Sequence, residues 1–294
     1  MKKIDLMIVG AQKAGTTSLK NYLGEHPDIA VHITKEFAYF QSEMDYEKGF
    51  EVSYKRSYPS NKGRVIVAKN AGLYEKELFL TRLKEHNKDC KIVFILRNPV
   101  DRAFSSYLME KREGFIDFDS DHLAKILNPK NPIDKNFFRK FIELGIYSEH
   151  LKNIYSNFQK ENVMVFTFEQ LKSNGGQVCK DIFSSLNLNT DIEINTGNVY
   201  NERKNIRSKK MARLLNQLKR EDNLLKLAVK KILPYHLFLK ITGKLKSINY
   251  SAKGASDEKM SVETREKLVE FFKPYNQELS SMLDIDFSYW DIIR

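Results

Sequence analysis

Apolar residues along the first two hundred positions fall into two kinds of run. Short unbroken blocks rich in branched side chains alternate with stretches whose apolar positions recur every three or four residues. The blocks carry the signature of strands buried on both faces. They are Ile4–Val9, Ile29–His32, Arg64–Ala68, Lys91–Leu96 and Val163–Phe168. The intervening spacing predicts helices over Thr17–Leu23 (closed by Gly24), Glu75–His86, Pro99–Arg112, Phe137–Leu144, Tyr147–Phe158 and Gln177–Leu186. Gly just after a helix and Pro at its first position are common boundary residues. Strands alternating with helices imply βαβ units, hence an α/β fold with a mainly parallel sheet. Ligands of such sheets lie beyond the carboxyl ends of the strands.

After about residue 200 the pattern turns helical, with predicted helices over Ile206–Arg220, Asn223–Lys240 and Ser261–Leu283. Pro234 and Pro274 are expected to kink or split the last two. Nothing resembles a linker, so residues 1–294 read as one domain. Residues 1–200 form its α/β core, and 201–294 a mainly helical part. Within the latter, Leu224–Ile241 is apolar with interspersed Lys. A basic amphipathic helix can lie on an anionic membrane, but packing on the sheet or lining a cleft is the favoured reading.

Composition narrows the classes. The chain has 49 Lys+Arg against 38 Asp+Glu, a net charge of +11, which points to an anionic partner. The two cysteines, Cys90 and Cys179, form no CxxC pair, so zinc and redox motifs are absent. No apolar stretch reaches membrane-spanning length, and Ile4–Val9 is too short for a signal segment. A cytoplasmic location is expected. No nucleic-acid-binding motif is present.

The first strand runs into Gly10-Ala-Gln-Lys-Ala-Gly15-Thr16-Thr17 and then a helix. That is nearly the spacing of a P-loop, whose backbone amides cradle phosphate at a helix N-terminus. Here, though, Thr16 stands where the P-loop Lys would be, and a Lys lies inside the loop at Lys13. A nucleoside-triphosphate enzyme also needs an acidic metal ligand at a strand end. The strand Lys91–Leu96 ends instead in Arg97-Asn98-Pro99. A cation there suits a second anion site, and hence a nucleotide carrying phosphates at two separate places.

Three segments carry a family resemblance. Ile8-Val-Gly-Ala-Gln-Lys-Ala-Gly-Thr-Thr-Ser-Leu19 resembles the 5′-phosphosulfate loop of sulfotransferases that use 3′-phosphoadenosine 5′-phosphosulfate (PAPS). Ile95-Leu-Arg-Asn-Pro-Val-Asp-Arg-Ala-Phe-Ser-Ser-Tyr107 resembles their 3′-phosphate motif. Thr34-Lys-Glu-Phe-Ala-Tyr-Phe40 resembles the lysine-glutamate segment of the glycan branch, which includes the heparan sulfate sulfotransferases. Weaker matches lie at Gly145–Leu151, Phe168–Leu171 and Lys253-Gly254. The resemblance implies a P-loop-like, doubly wound parallel sheet with helices on both faces, PAPS as donor, 3′-phosphoadenosine 5′-phosphate (PAP) as product, and no metal. It implies that Lys13 contacts the bridging oxygen and that Ala14, Gly15, Thr16, Thr17 and Ser18 surround the 5′-phosphate. Arg97 and Ser105 would grip the 3′-phosphate, and Lys253 and Gly254 would close over it. Where the family's closing loop often has Arg after Lys-Gly, this chain has Ala255, and no Cys is near to brace it.

The resemblance also implies Glu36 as general base. A carboxylate beside the rings of Phe37, Tyr39 and Phe40 is expected to be poised for proton transfer. His32, four residues earlier, ranks second. Lys35, Lys69 and Tyr74 are placed on the acceptor side. The acceptor itself is expected to be a sugar or polysaccharide hydroxyl or amine. Two other classes stay open: a P-loop nucleotide kinase or other phosphotransferase, and a non-catalytic polyanion binder.

Overall fold

The structure, a computed structural model, describes residues 2–59, 63–197 and 258–293, with a few positions between 205 and 251. Its centre is a five-stranded sheet of β1 (Leu6–Gly10), β2 (Ile29–Val31), β3 (Val65–Lys69), β4 (Lys91–Leu96) and β5 (Val163–Thr167). The order is β2-β3-β1-β4-β5, and every pairing is parallel. The chain winds first to one side of β1 and then to the other, so the site expected of such sheets lies at the end of β1. Strand β1 and nearly all of β4 are buried, which is why both read as unbroken apolar blocks.

The first strand starts two residues later than its apolar block, for a local reason. The Ile4 amide donates to His86 Nε2, and the Asp5 carboxylate accepts the Ile66 amide at 2.6 Å. Asp5 still exchanges backbone bonds with Ile66 and Lys91, so the sheet pairing begins at the edge of the strand proper.

Ten helices surround the sheet in the described residues: α1 (Thr16–Leu23), α2 (Glu43–Glu47), α3 (Phe50–Ser57), α4 (Glu77–His86), α5 (Pro99–Arg112), α6 (His122–Lys125), α7 (Pro132–Phe141), α8 (Tyr147–Asn157), α9 (Phe168–Ser185) and α10 (Val262–Leu283). Helix α1 packs on α9, α4 packs on α8, and α10 packs on α5, α6 and α8. A second apolar cluster joins α5, α6, α7 and α10 through Val100, Tyr107, Leu123, Phe141, Leu268 and Phe272.

Three helix readings need correction. Helix α9 begins at Phe168, not Gln177, because Thr167 and Gln170 form a capping box. Gly175-Gly176 lies inside it, next to a non-helical Asn174, and so resembles a break in the sequence. Helix α7 begins at Pro132 under the Asn131 cap, ahead of the expected Phe137. Helix α10 is one helix despite Pro274. Pro274 and Glu270 are both exposed, so the carbonyl that the proline leaves without a donor faces water.

In the C-terminal part, Asn205–Ile206 pairs antiparallel with Tyr250–Ser251, where Ile206 was expected to open a helix. Apart from Ser208 and Met211, the rest of the predicted helices over 206–240, and the segment 224–241, lie outside the described residues. No described helix is long and apolar enough to cross a membrane.

Burial also sets a pH dependence. The imidazoles of His32 and His150 are held down to about 3 and about 4, chiefly because charging them would place a cation in the interior. The unfolded chain binds these protons near pH 6.5 and the folded chain does not. Stability is therefore complete above that value and lost as pH falls toward 4. Between pH 6 and 4.5, His150→Gln is expected to flatten the slope of unfolding free energy against pH by about 1.4 kcal/mol per unit. Denaturant melts at stepped pH check this, and an unchanged slope rejects it.

Candidate active site

The loop of residues 10–15 leaves the carboxyl end of β1 beside that of β4, where the Ala11 amide donates to the Ile95 carbonyl. Two close approaches shape it. A Cβ on Gly10 would lie 2.4 Å from the Tyr74 ring, so only glycine lets the loop sit over that ring. Gly15 has φ +84°, and a Cβ there would meet Leu171 at 2.9 Å. Gly15 is also the N-cap of α1, which has no side-chain cap and no acid in its first turn. A helix leaves its first amides outside its own ladder, and its dipole makes that end positive. The loop and helix start thus offer donors to an anion, and the acid-free first turn adds no repulsion.

Lys13 adopts φ +73°, an uncommon conformation for a residue with a side chain. This turn presents its carbonyl to Arg97, whose Nη1 donates to it at 2.9 Å. The Lys13 ammonium reaches Met109 Sδ on α5 at 3.7 Å. The two cationic segments picked out in the sequence are therefore joined directly. Arg97 also lies over the Phe168 ring at 4.9 Å, and Tyr147 Oη donates to its carbonyl. Phe168 is a supporting residue that the sequence reading passed over. Its weak Phe-Glu-Gln-Leu match was the available signal.

Helix α5 begins differently from α1. Asn98 caps it by accepting the Val100 and Asp101 amides, while its own amide group donates to the Trp290 carbonyl. Further along, Ser106 Oγ donates to Gln12 Oε1, fastening α5 to the loop, and Ser105 is buried beside it. The Lys253-Gly254 segment lies outside the described residues. At Glu258, the carboxylate accepts from Tyr107 Oη at 2.5 Å and Lys111 Nζ at 2.9 Å, both on α5.

Glu36 meets the end of β3 and the residues after it. Its Oε1 accepts from Lys69 Nζ at 2.7 Å and its Oε2 from the Ala71 amide at 3.0 Å. Lys69 Nζ also lies 3.4 Å from Thr17 Oγ1, so the carboxylate is linked to the first turn of α1 through one ammonium. Lys69 is 1% exposed, and burial lowers its pKa against the opposing pull of Glu36. The expected setting of Glu36 needs correcting. Phe37, Tyr39 and Phe40 belong to the core, and what meets the carboxylate is an ammonium and an amide.

The acceptor-side residues separate. Lys35 is exposed next to Glu36. Lys69 lies beneath the carboxylate instead of facing outward. Tyr74 is fully buried, its hydroxyl donating to the Leu144 carbonyl. Burial drives that phenol well above its ordinary range, and it supports the loop from below rather than meeting an acceptor. His32 is 1% exposed with both ring nitrogens hydrogen-bonded, so it has no route to a substrate proton.

Among known proteins, the sequence model of the sulfotransferase domain matches residues 3–227. The chain belongs to the sulfotransferase family. This sulfotransferase is 27% identical over 172 residues to human heparan sulfate glucosamine 3-O-sulfotransferase 5, covering 56% of the chain and 48% of that protein. It is 26% identical over 196 residues to the bifunctional heparan sulfate N-deacetylase/N-sulfotransferase 1 of Caenorhabditis briggsae, covering 63% and 22% respectively. The chain thus spans about half or less of the length of these curated relatives. Its fold matches the crystal structure of a sulfotransferase from Alicyclobacillus acidocaldarius, with a TM-score of 0.68 and 22% identity over 99% of this chain and 100% of that one.

Proposed function

We propose that this sulfotransferase moves the sulfuryl group of PAPS to a hydroxyl or amine of a sugar or polysaccharide. The observation that carries the reading is the Arg97 bond to the Lys13 carbonyl, beside a carboxylate tied to the same helix start. The donor set fits a nucleotide with a charged group at each end. Loop amides and Lys13 would serve one end and the Arg97 fork the other, and Gly10 and Gly15 let the loop pack closely on Tyr74, Phe94, Phe168 and Leu171 beneath it.

PAPS would supply an activated sulfuryl group with a phosphate as leaving group. The chain's residues would do the rest. Glu36 takes the proton from the acceptor as its oxygen or nitrogen attacks in line. Lys69 holds that carboxylate in place. As the bond to the bridging oxygen breaks, the Lys13 ammonium and the amides opening α1 meet the charge left on the phosphate. The heparan sulfate relatives support a glycan acceptor.

Titration with PAP and with ATP plus magnesium, read by thermal shift, tests the reading. PAP is expected to raise Tm clearly, since a ligand that binds only the folded state stabilises it. A rise with ATP and magnesium alone would overturn it. Arg97→Ala is expected to weaken PAP binding by about 1.5–3 kcal/mol, the worth of a charge-assisted contact, with a smaller loss of turnover at saturating donor from the released Lys13 carbonyl. Calorimetry checks the affinity.

A further inference from the structure

We infer that His32 is a positioning residue that sets the Glu36–Lys69 pair, acting through hydrogen bonds to the backbone on either side of it. The inference rests on the proposed function and deepens it. It comes from a buried imidazole that the proposed mechanism does not use.

His32 is the first residue beyond β2. Its two ring nitrogens and its carbonyl are each engaged with a different part of the site. Nε2 accepts the Lys69 amide at 3.0 Å, at the last residue of β3. Nδ1 lies 2.9 Å from Thr34 Oγ1, and that hydroxyl donates to the Glu36 carbonyl at 2.9 Å. The His32 carbonyl accepts from Lys20 Nζ of α1 at 3.0 Å. The rings of Phe37 and Tyr58 flank the imidazole at 6.0 and 6.1 Å between centroids.

These bonds fix the tautomer. A backbone N–H can only donate, so Nε2 must carry a lone pair. Thr34 gives its proton to the Glu36 carbonyl, so its oxygen accepts from Nδ1–H. The neutral Nδ1–H imidazole satisfies every partner. A proton on Nε2 would face the Lys69 amide, and the resulting cation would add to Lys20 and Lys69, which flank the ring. Burial and these two lysines act together to keep the ring neutral.

The geometric consequence follows from where the arms end. One reaches the backbone of Lys69, the other the backbone of Glu36. The two side chains then meet at 2.7 Å across the gap. Loss of His32 removes the acceptor of the Lys69 amide and the partner of the Thr34 hydroxyl, while the Lys69 carbonyl keeps the Phe37 amide and both side chains stay chemically intact. A displacement of about 1 Å in a reacting group can cost about 100-fold in rate.

Three variants test the role: His32→Ala, His32→Gln and Thr34→Val. Gln places an acceptor near the Nε2 position and keeps the Lys69 arm. Val keeps the shape of Thr and cuts the Glu36 arm alone. His32→Ala is expected to lower kcat about 100-fold, with acceptor KM and PAP affinity within about threefold of the parent. His32→Gln should recover most of that loss. Thr34→Val, which leaves the buried ring in place and so guards against a His32 variant that does not fold, should lower kcat about 10-fold with PAP affinity unchanged. An unchanged kcat in Thr34→Val or in a folded His32→Ala overturns the inference. So does a parallel fall of kcat, PAP affinity and Tm in Ala and Gln alike, the mark of a purely structural residue.

A readout without turnover separates this inference from the proposed function. Nitrogen NMR of labelled histidine, assigned by the Gln variant, should show His32 as the neutral Nδ1–H form from pH 5 to 8. A titrating ring, or the Nε2–H form, overturns the hydrogen-bond scheme. A parent chain that keeps this tautomer yet neither binds PAP nor transfers sulfate refutes the proposed function instead.

Discussion

Glu36→Gln is expected to leave PAP binding intact and to lower sulfuryl transfer between about 100-fold and 10,000-fold, the usual range for removing a positioned base. Gln has the size of Glu, so the loop should keep its course. Its amide oxygen can still accept from Lys69 Nζ, which leaves the amide nitrogen facing the Ala71 N–H, a donor against a donor. A fall in stability of about 1–3 kcal/mol should accompany the loss of rate. Single-turnover transfer from labelled donor, alongside calorimetry with PAP, separates the two effects. Transfer within threefold of the parent would remove Glu36 from the mechanism.

Lys13→Ala should act on a different quantity. It removes the ammonium proposed to meet the leaving phosphate but not the carbonyl that holds Arg97. Both residues carry a Cβ, so the left-handed backbone at φ +73° is no more strained than before. The expected result is a fall in kcat of about 100-fold to 1,000-fold, as when one group that stabilises developing charge is lost. PAP affinity should fall far less than in Arg97→Ala. If the two variants exchanged these signatures, the assignment of leaving-group and 3′-phosphate ends would be reversed.

The sheet was legible because parallel strands buried on both faces have no polar alternation to obscure them. Lys91–Leu96 was read to the residue, and the other blocks to within two residues at either end. Helix starts governed by caps were harder. Thr167 and Asn131 act through side-chain bonds that the apolar spacing does not register. In the site, Lys13 and Arg97 could be found because both stand where a strand ends and a turn begins. That they touch through a main-chain carbonyl could not be read, since it depends on a backbone angle. Tyr74 went astray for a related reason. Its position after β3 suggested the cleft, but Gly10 opens space beneath the loop that its ring fills together with Phe94. His32 was weighed as a base, the role its residue type suggests. Its three partners come from β3, α1 and the Thr34 turn, and only folding assembles them.

Arg97 grips the loop by its main chain. On the proposed reading, that bond would set the distance between the two anion cradles before any ligand arrives, and the pair would work as a fixed gauge. A nucleotide whose phosphates form a single chain, as in ATP, would fill one jaw and leave the other empty. Discrimination against the most abundant cellular nucleotides would then come from spacing alone, without a residue devoted to rejecting them.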